Sequence, residues 1–266
     1  MDILRRDAAP LTPRALQALD EAVAQAARHV LVGRRVADFD GPRGWEHQAT
    51  RLGTMKPCAT REGQAVVCVP DVALLAEIRA EFTLSWTALE HFERGAPALD
   101  TAPAEAAARE VALAEDRLVL YGEPVGQGFL ASPKSPSVTV EDWARPGQAL
   151  ADVLRAVERL DGLGIGGPYE LVLAPARYYA FLRGAEEGGY PTTRHLREVV
   201  AAVHRGTVLR GAGALFSTRG GDFVITVGGD LSVGYRGHDA GGVHLFCVET
   251  VAAQVVTPEA VCLLRP

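Results

Sequence analysis

The sequence predicts an α+β fold on three observations. Apolar residues recur every three to four positions through much of the chain, short β-branched runs fill roughly the last fifty residues, and helices and strands are partly segregated instead of strictly alternating. The chain has 266 residues, 48% of them hydrophobic and 23% charged, with a mean hydropathy of +0.06. That is the balance of a folded protein with one large domain or two modest ones.

The first element is a helix. Ala15, Leu16, Leu19, Val23, Ala26, Ala27, Val30 and Leu31 form one face, Thr12 supplies the cap, Pro13 the first helical position, and Gly33 lies just past the end. After Gly41-Pro42 the pattern changes to a long two-stranded arm. It runs out from Trp45 to Ala59, turns at Arg61-Glu62-Gly63-Gln64 and returns through Ala65 to Val69 into Pro70, a residue suited to an edge strand. An isolated hairpin is marginal in water, so the arm is expected to lean on a neighbouring sheet or subunit.

Helices are expected at Ser85 to Arg94 and Pro103 to Tyr121, the latter closed by Gly122, and Ser132-Pro133-Lys134-Ser135-Pro136-Ser137 marks a boundary. Leu150, Val153, Leu154, Val157 and Leu160 stripe a further helix ending at Gly162. A strand at Tyr169 to Ala174, a helix at Arg177 to Leu182, a glycine-rich loop from Gly184 to Pro191 and a helix near Thr193 to Val203 follow. The closing strands are expected at 214–217, 223–227, 231–235, 243–248, 251–256 and 261–264.

Several function classes drop out. The formal charge of −6 argues against a surface built for nucleic acid. Nearly all cations are arginine, Lys56 and Lys134 being the lysines, a skew that suits bidentate contacts and that a GC-biased genome also produces. No signal-peptide pattern opens the chain and no run approaches the ~18 apolar residues of a membrane span, so a cytoplasmic location is expected. Cys58, Cys68, Cys247 and Cys262 are widely spaced, and the seven histidines lack metal-ligand spacing.

Gly162-Leu163-Gly164-Ile165-Gly166-Gly167 satisfies G-x-G-x-x-G but follows a helix and precedes a strand, the reverse of the dinucleotide-binding context, so it reads as a turn. Arg219-Gly220-Gly221-Asp222 reads as a turn for the same reason of context. Nothing selects a catalytic triad among the many Ser, His and Asp residues.

Motifs spread along the whole chain resemble the encapsulins, the nanocompartment shell proteins also described as linocin-type bacteriocins. They are Arg5-Arg6-Asp7-Ala8-Ala9-Pro10-Leu11-Thr12, Gly33-Arg34-Arg35-Val36, Phe82-Thr83-Leu84, Glu93-Arg94-Gly95, Gly167-Pro168-Tyr169, Gly189-Tyr190-Pro191, Arg219-Gly220-Gly221-Asp222-Phe223, Asp230-Leu231-Ser232-Val233-Gly234-Tyr235 and Thr257-Pro258-Glu259-Ala260. The resemblance implies the tailed-phage major-capsid fold. It divides the chain into an N-terminal arm and helix (1–44), an extended loop (45–80), a discontinuous peripheral domain (81–136 and 218–266) and an axial domain (137–217).

The resemblance also implies self-assembly into an icosahedral shell of multiples of about sixty subunits. The shell would enclose a cargo enzyme, a dye-decolourising peroxidase or ferritin-like iron oxidase, held by a C-terminal peptide, and no catalytic residue is implied. The cargo peptide would lie in a groove including Ala27, Leu31, Arg34, Asp38 and Val233, roomier at Ala27 than in relatives with an aromatic there; Leu31 and Val233 packing on each other is the plainer reading. The loop Gly184, Ala185, Glu186, Glu187, Gly188, Gly189 and Tyr190 would line a five-fold pore, its carboxylates favouring cations. Some relatives hold a flavin near a tryptophan. Here Trp86 falls one position early and Thr87 takes its place, so no flavin is expected even though Arg79 suits a phosphate contact. Two further readings are a bacteriocin or hydrolase and a prophage capsid subunit.

Overall fold

The computed structural model describes residues 2–59, 65–184 and 192–266. The first elements are α1 (Pro13–Arg28), α2 (Gly33–Val36), β1 (Asp38–Asp40), β2 (Ala49–Ala59), β3 (Val67–Leu74), β4 (Ala76–Leu84), α3 (Trp86–Glu93) and α4 (Ala102–Tyr121). Next come β5 (Ser137–Thr139), α5 (Gln148–Asp161), β6 (Tyr169–Leu173), α6 (Pro175–Arg183), α7 (Thr192–Val199) and β7 (Ala202–Arg205). The chain closes with β8 (Gly213–Ser217), β9 (Phe223–Val227), β10 (Ser232–Asp239), β11 (Gly242–Val255) and β12 (Val261–Arg265). These elements fall into two compact units, residues 1–29, 40–115 and 226–254 in one and residues 30–39, 116–225 and 255–266 in the other.

In the first unit β11 runs antiparallel to β4 on one side and to β10 on the other. Against this sheet the apolar face of α1 buries Ala15, Leu19, Val23 and Ala26, which join Phe82, Leu84, Val233, Tyr235, Leu245 and Cys247 from the strands and Leu89, Phe92, Ala104, Ala107, Ala108 and Val111 from α3 and α4. The Thr12 cap expected from the sequence forms, its Oγ1 accepting from Ala15 N–H, and Ser85 Oγ caps α3 in the same way from Ala88 N–H, each at 3.2 Å. The arm is the two-stranded ribbon β2–β3, its root closed by Leu75 N–H donating to Gln48 O at 2.9 Å. It continues through Pro70, which sits opposite Met55. A strand with only one partner has an open side where a missing N–H costs nothing.

The second unit carries a five-stranded sheet in the order β5-β12-β8-β6-β7. β6 pairs parallel with β7 and antiparallel with β8, while β12 pairs antiparallel with β8 and parallel with β5. α5 packs on β5 and β12 and also touches α7. Both glycine-rich turns lie where their context put them. Gly162 to Gly167 links α5 to β6, with the Tyr169 hydroxyl 2.7 Å from Ile165 O; Gly220 and Gly221, at φ +90° and +82°, make the turn into β9.

Four local expectations are corrected. The first helix ends at Arg28, and Gly33 opens α2 instead of following α1. The buried Asp116 carboxylate takes the N–H of Val32 (3.1 Å) and of Gly33 (2.9 Å), capping a new turn, and a Cβ on residue 33 would meet Val119 Cγ1 at 2.8 Å. The helix expected through Val203 stops at Val199, because Ala202 to Arg205 pair with β6. The strands expected at 243–248 and 251–256 are one strand, β11, since Glu249 and Thr250 continue the ladder opposite Ile78 and Glu77. On α5, Leu154 is exposed and Asp152 is buried in the stripe.

The units also divide differently from the expected domains. β4 begins at Ala76, so residues 76–80 belong to the sheet and not to the arm. β12, expected in the domain 81–136 and 218–266, hydrogen-bonds with β5 and β8.

Candidate functional site

The segment 30–39 lies within one unit and gathers three of the five groove residues expected from the sequence. Asp116 fixes its start through Val32 and Gly33, and the short α2 then aims Arg34, whose guanidinium lies 5.2 Å from the centre of the Phe39 ring. Asp38 is exposed, yet its carboxylate accepts the Gly221 N–H at 2.6 Å and so ties the segment to the Gly220-Gly221 turn. Arg219 clamps Asp222 at 2.8 and 3.0 Å across the same turn.

A cleft of about 320 Å³ opens beside this segment, lined by Arg35, Asp38, Glu170, Ser217, Thr218 and Asp222 among others. Its carboxylates have intramolecular partners: Asp38 has Gly221, Asp222 has Arg219, and Glu170 faces His204 Nε2 at 2.6 Å. The hydroxyls of Ser217 and Thr218 donate to the carbonyls of Gly166 (2.7 Å) and Pro168 (3.2 Å). These hydroxyls are turned into the loop. Among the described residues no group of three or more His, Cys, Asp or Glu side chains is placed to hold a metal ion.

The apolar groove residues, Leu31 of this segment and the two outside it, are placed differently from Arg34 and Asp38. Val233 is 1% exposed inside the core with Leu19 and Val23, and Ala27 (3%) and Leu31 (8%) are buried too. Val233 is therefore a core residue with no side-chain surface to offer. The sequence reading missed Phe39, an aromatic 43% exposed beside Arg34. The available signal was the Asp38-Phe39-Asp40 pattern, an aromatic between two charges on a short strand.

The residues weighed for a flavin are engaged within the chain. Trp86 Nε1 donates to Asp239 O at 2.7 Å and its ring meets His238 edge-on. Arg79 pairs with Glu77 at 3.1 Å and lies 4.2 Å from the Phe246 ring centre, and Thr87 is exposed. These contacts engage the indole N–H and the guanidinium within the chain. Of the expected pore loop, Gly184 ends α6 with its N–H on Phe181 O at 3.1 Å, while residues 185–190 lie outside the described residues.

The arm exposes Met55, Val66, Val67, Val69, Val72 and Leu74, a concentration of apolar side chains on a ribbon that no third strand joins among the described residues. No described helix is long and apolar enough to cross a membrane.

Residues 1–252 match the family described as encapsulating protein for peroxidase. The type 1 encapsulin shell protein of Rhodospirillum rubrum is 35% identical over 279 aligned positions, covering 100% of this chain and 97% of the relative. Among solved structures, the virus-like particle from Pyrococcus furiosus superposes with a TM-score of 0.71 at 19% identity, covering 94% of this chain and 98% of that one. The capsid of Myoviridae phage XM1 gives 0.61 at 14% identity, covering 86% and 90%. The fold is that of the tailed-phage capsid proteins, and the chain, similar to its relatives from end to end, belongs to the encapsulin shell-protein family.

Proposed function

We propose that this chain is the subunit of a closed icosahedral compartment in the cytoplasm that encloses a cargo enzyme and contributes no catalysis itself. The observation that carries the reading is the arm. A two-stranded ribbon is marginal in water, and natural proteins cover edges that expose Val67, Val69 and Leu74 as this one does. A second copy supplies the cover, and repetition of one contact around closed symmetry axes generates a shell of about sixty subunits or a multiple.

The family description, encapsulating protein for peroxidase, supports a peroxidase as cargo, with a ferritin-like iron oxidase as the other candidate. Its targeting peptide would be an extended segment with apolar anchors. The exposed Phe39 ring, with the half-buried Arg34 over it and the Asp38 cleft beside it, offers it an aromatic face and acceptors. Cation entry past Glu186 and Glu187 belongs to the same reading and rests on the sequence.

Negative-stain microscopy with mass spectrometry of the native particle tests assembly and cargo together. Uniform hollow spheres with a co-purifying enzyme are the expected result. A stable monomer or dimer from low to physiological salt overturns the shell reading.

A further inference from the structure

We propose that Cys58 and Cys68 form a redox dithiol on the β2–β3 arm, closing to an intrachain disulfide when a peroxide is present. The four thiols fall into two classes. Cys247 and Cys262 are fully buried, and burial pushes their pKa values up to about 12 and about 11, which leaves them neutral packing groups. Cys58 and Cys68 are exposed, and they lie on opposite strands of one ribbon.

The register brings them together. Pro57 is opposite Cys68 and Ala59 is opposite Val67, so Cys58 is the extra residue of a bulge on β2. In a bulge two residues of one strand face one of the other. Directly opposed Cα atoms in an antiparallel pair are about 4.5–5.5 Å apart, and disulfides span Cα separations of about 4.4–6.8 Å. The bulge therefore sets Cys58 next to Pro57, the residue directly opposite Cys68, and brings the two cysteines to neighbouring positions across the ribbon.

The same stretch is where a covalent link adds most. Pro57 and Pro70 both lie in the paired part of the ribbon and neither has an N–H to give the ladder. The exposed strands offer little burial in compensation.

The chemistry balances with hydrogen peroxide. One thiolate attacks a peroxide oxygen, the O–O bond breaks, and the products are a sulfenic acid and, once the thiol's proton is returned, water. The second thiol attacks the sulfenic sulfur, forming the S–S bond and releasing a second water. Two thiols are oxidised and one peroxide is reduced.

The proposal concerns one ribbon of one chain, whose two thiols are exposed in the single subunit. Its test is a peptide map of the full-length protein, reduced, exposed to hydrogen peroxide, alkylated in denaturant and cut with trypsin, which cleaves after Arg61 between the two cysteines. The expected product is a linked pair of peptides carrying Cys58 and Cys68, two hydrogens lighter than their reduced sum and separated by dithiothreitol, with Cys247 and Cys262 alkylated as free thiols. Cys58→Ser should abolish the linked pair without changing the far-ultraviolet circular dichroism. Both thiols alkylated after peroxide treatment, or linkage chiefly between two chains on a non-reducing gel, overturns it.

Discussion

Asp152 sits fully buried on α5 and accepts hydrogen bonds from Glu141 N–H (2.9 Å), the Trp143 indole (2.8 Å), Gln148 (2.7 Å) and Arg155. Burial alone raises a carboxylate's pKa; here the donors from Trp143, Arg155, Glu141 and Gln148 outweigh it and hold the group below its ordinary value. Since the folded pKa lies below the unfolded one, ionised Asp152 adds stability that is present above the ordinary carboxylate range and lost as pH falls through the folded value. Asp152→Ala leaves the buried Trp143 N–H unpaired and is expected to cost about 1–3 kcal/mol. The readouts are a lowered thermal midpoint at neutral pH, a shallower acid limb of stability against pH, and faster hydrogen exchange over α5. An unchanged acid limb would show that the carboxylate does not titrate with folding. The apolar stripe concealed this residue, since periodicity assigns Leu154 to the core and cannot see four donors converging on a carboxylate. Asp116 was hidden in the same way, because its partners, Val32 and Gly33, are distant in sequence.

At the scale of elements, legibility followed locality. Thr12 announced its helix because a cap acts within three residues, and the glycine turns were readable from what precedes and follows them. The strand at Ala202 to Arg205 was not, because its state is decided by pairing with β6, about thirty residues away in sequence. The break expected inside β11 fails similarly, as Glu249 and Thr250 are held in the ladder by β4. The arm was legible as a hairpin, although its apolar exposure required the structure. That exposure makes a prediction. Val67→Lys with Leu74→Lys places charge on side chains 59% and 70% exposed, so the isolated subunit should keep its stability to within about 0.5 kcal/mol. Assembly should fail, because Lys on an edge blocks strand covering by a neighbour. Size-exclusion chromatography beside circular dichroism separates the two effects; particles of normal yield would remove the arm from the assembly contact.

At the scale of the whole molecule, the sequence motifs identified the family, whereas the division into units was legible only in outline. Strand pairing decides it, and β12 is drawn to β5 and β8 from the far end of the chain. Of the expected groove, the charged residues Arg34 and Asp38 remain at the surface while Val233 is core, since one apolar position can serve either role in a periodic pattern. Charge then sets the conditions of assembly. Each subunit carries a formal −6, so bringing copies together works against like-charge repulsion, while the contact proposed for the arm would be largely apolar. The Debye length shrinks from about 30 Å at 0.01 M salt to about 8 Å at 0.15 M. Dissociated subunits returned to neutral pH should therefore assemble faster and further as salt rises over this range, followed by light scattering. Apolar contacts are not weakened by that change, whereas exposed ion pairs are screened by it. Assembly that slows with salt would mean that arginine and carboxylate pairs between subunits, not the apolar arm, dominate the contact.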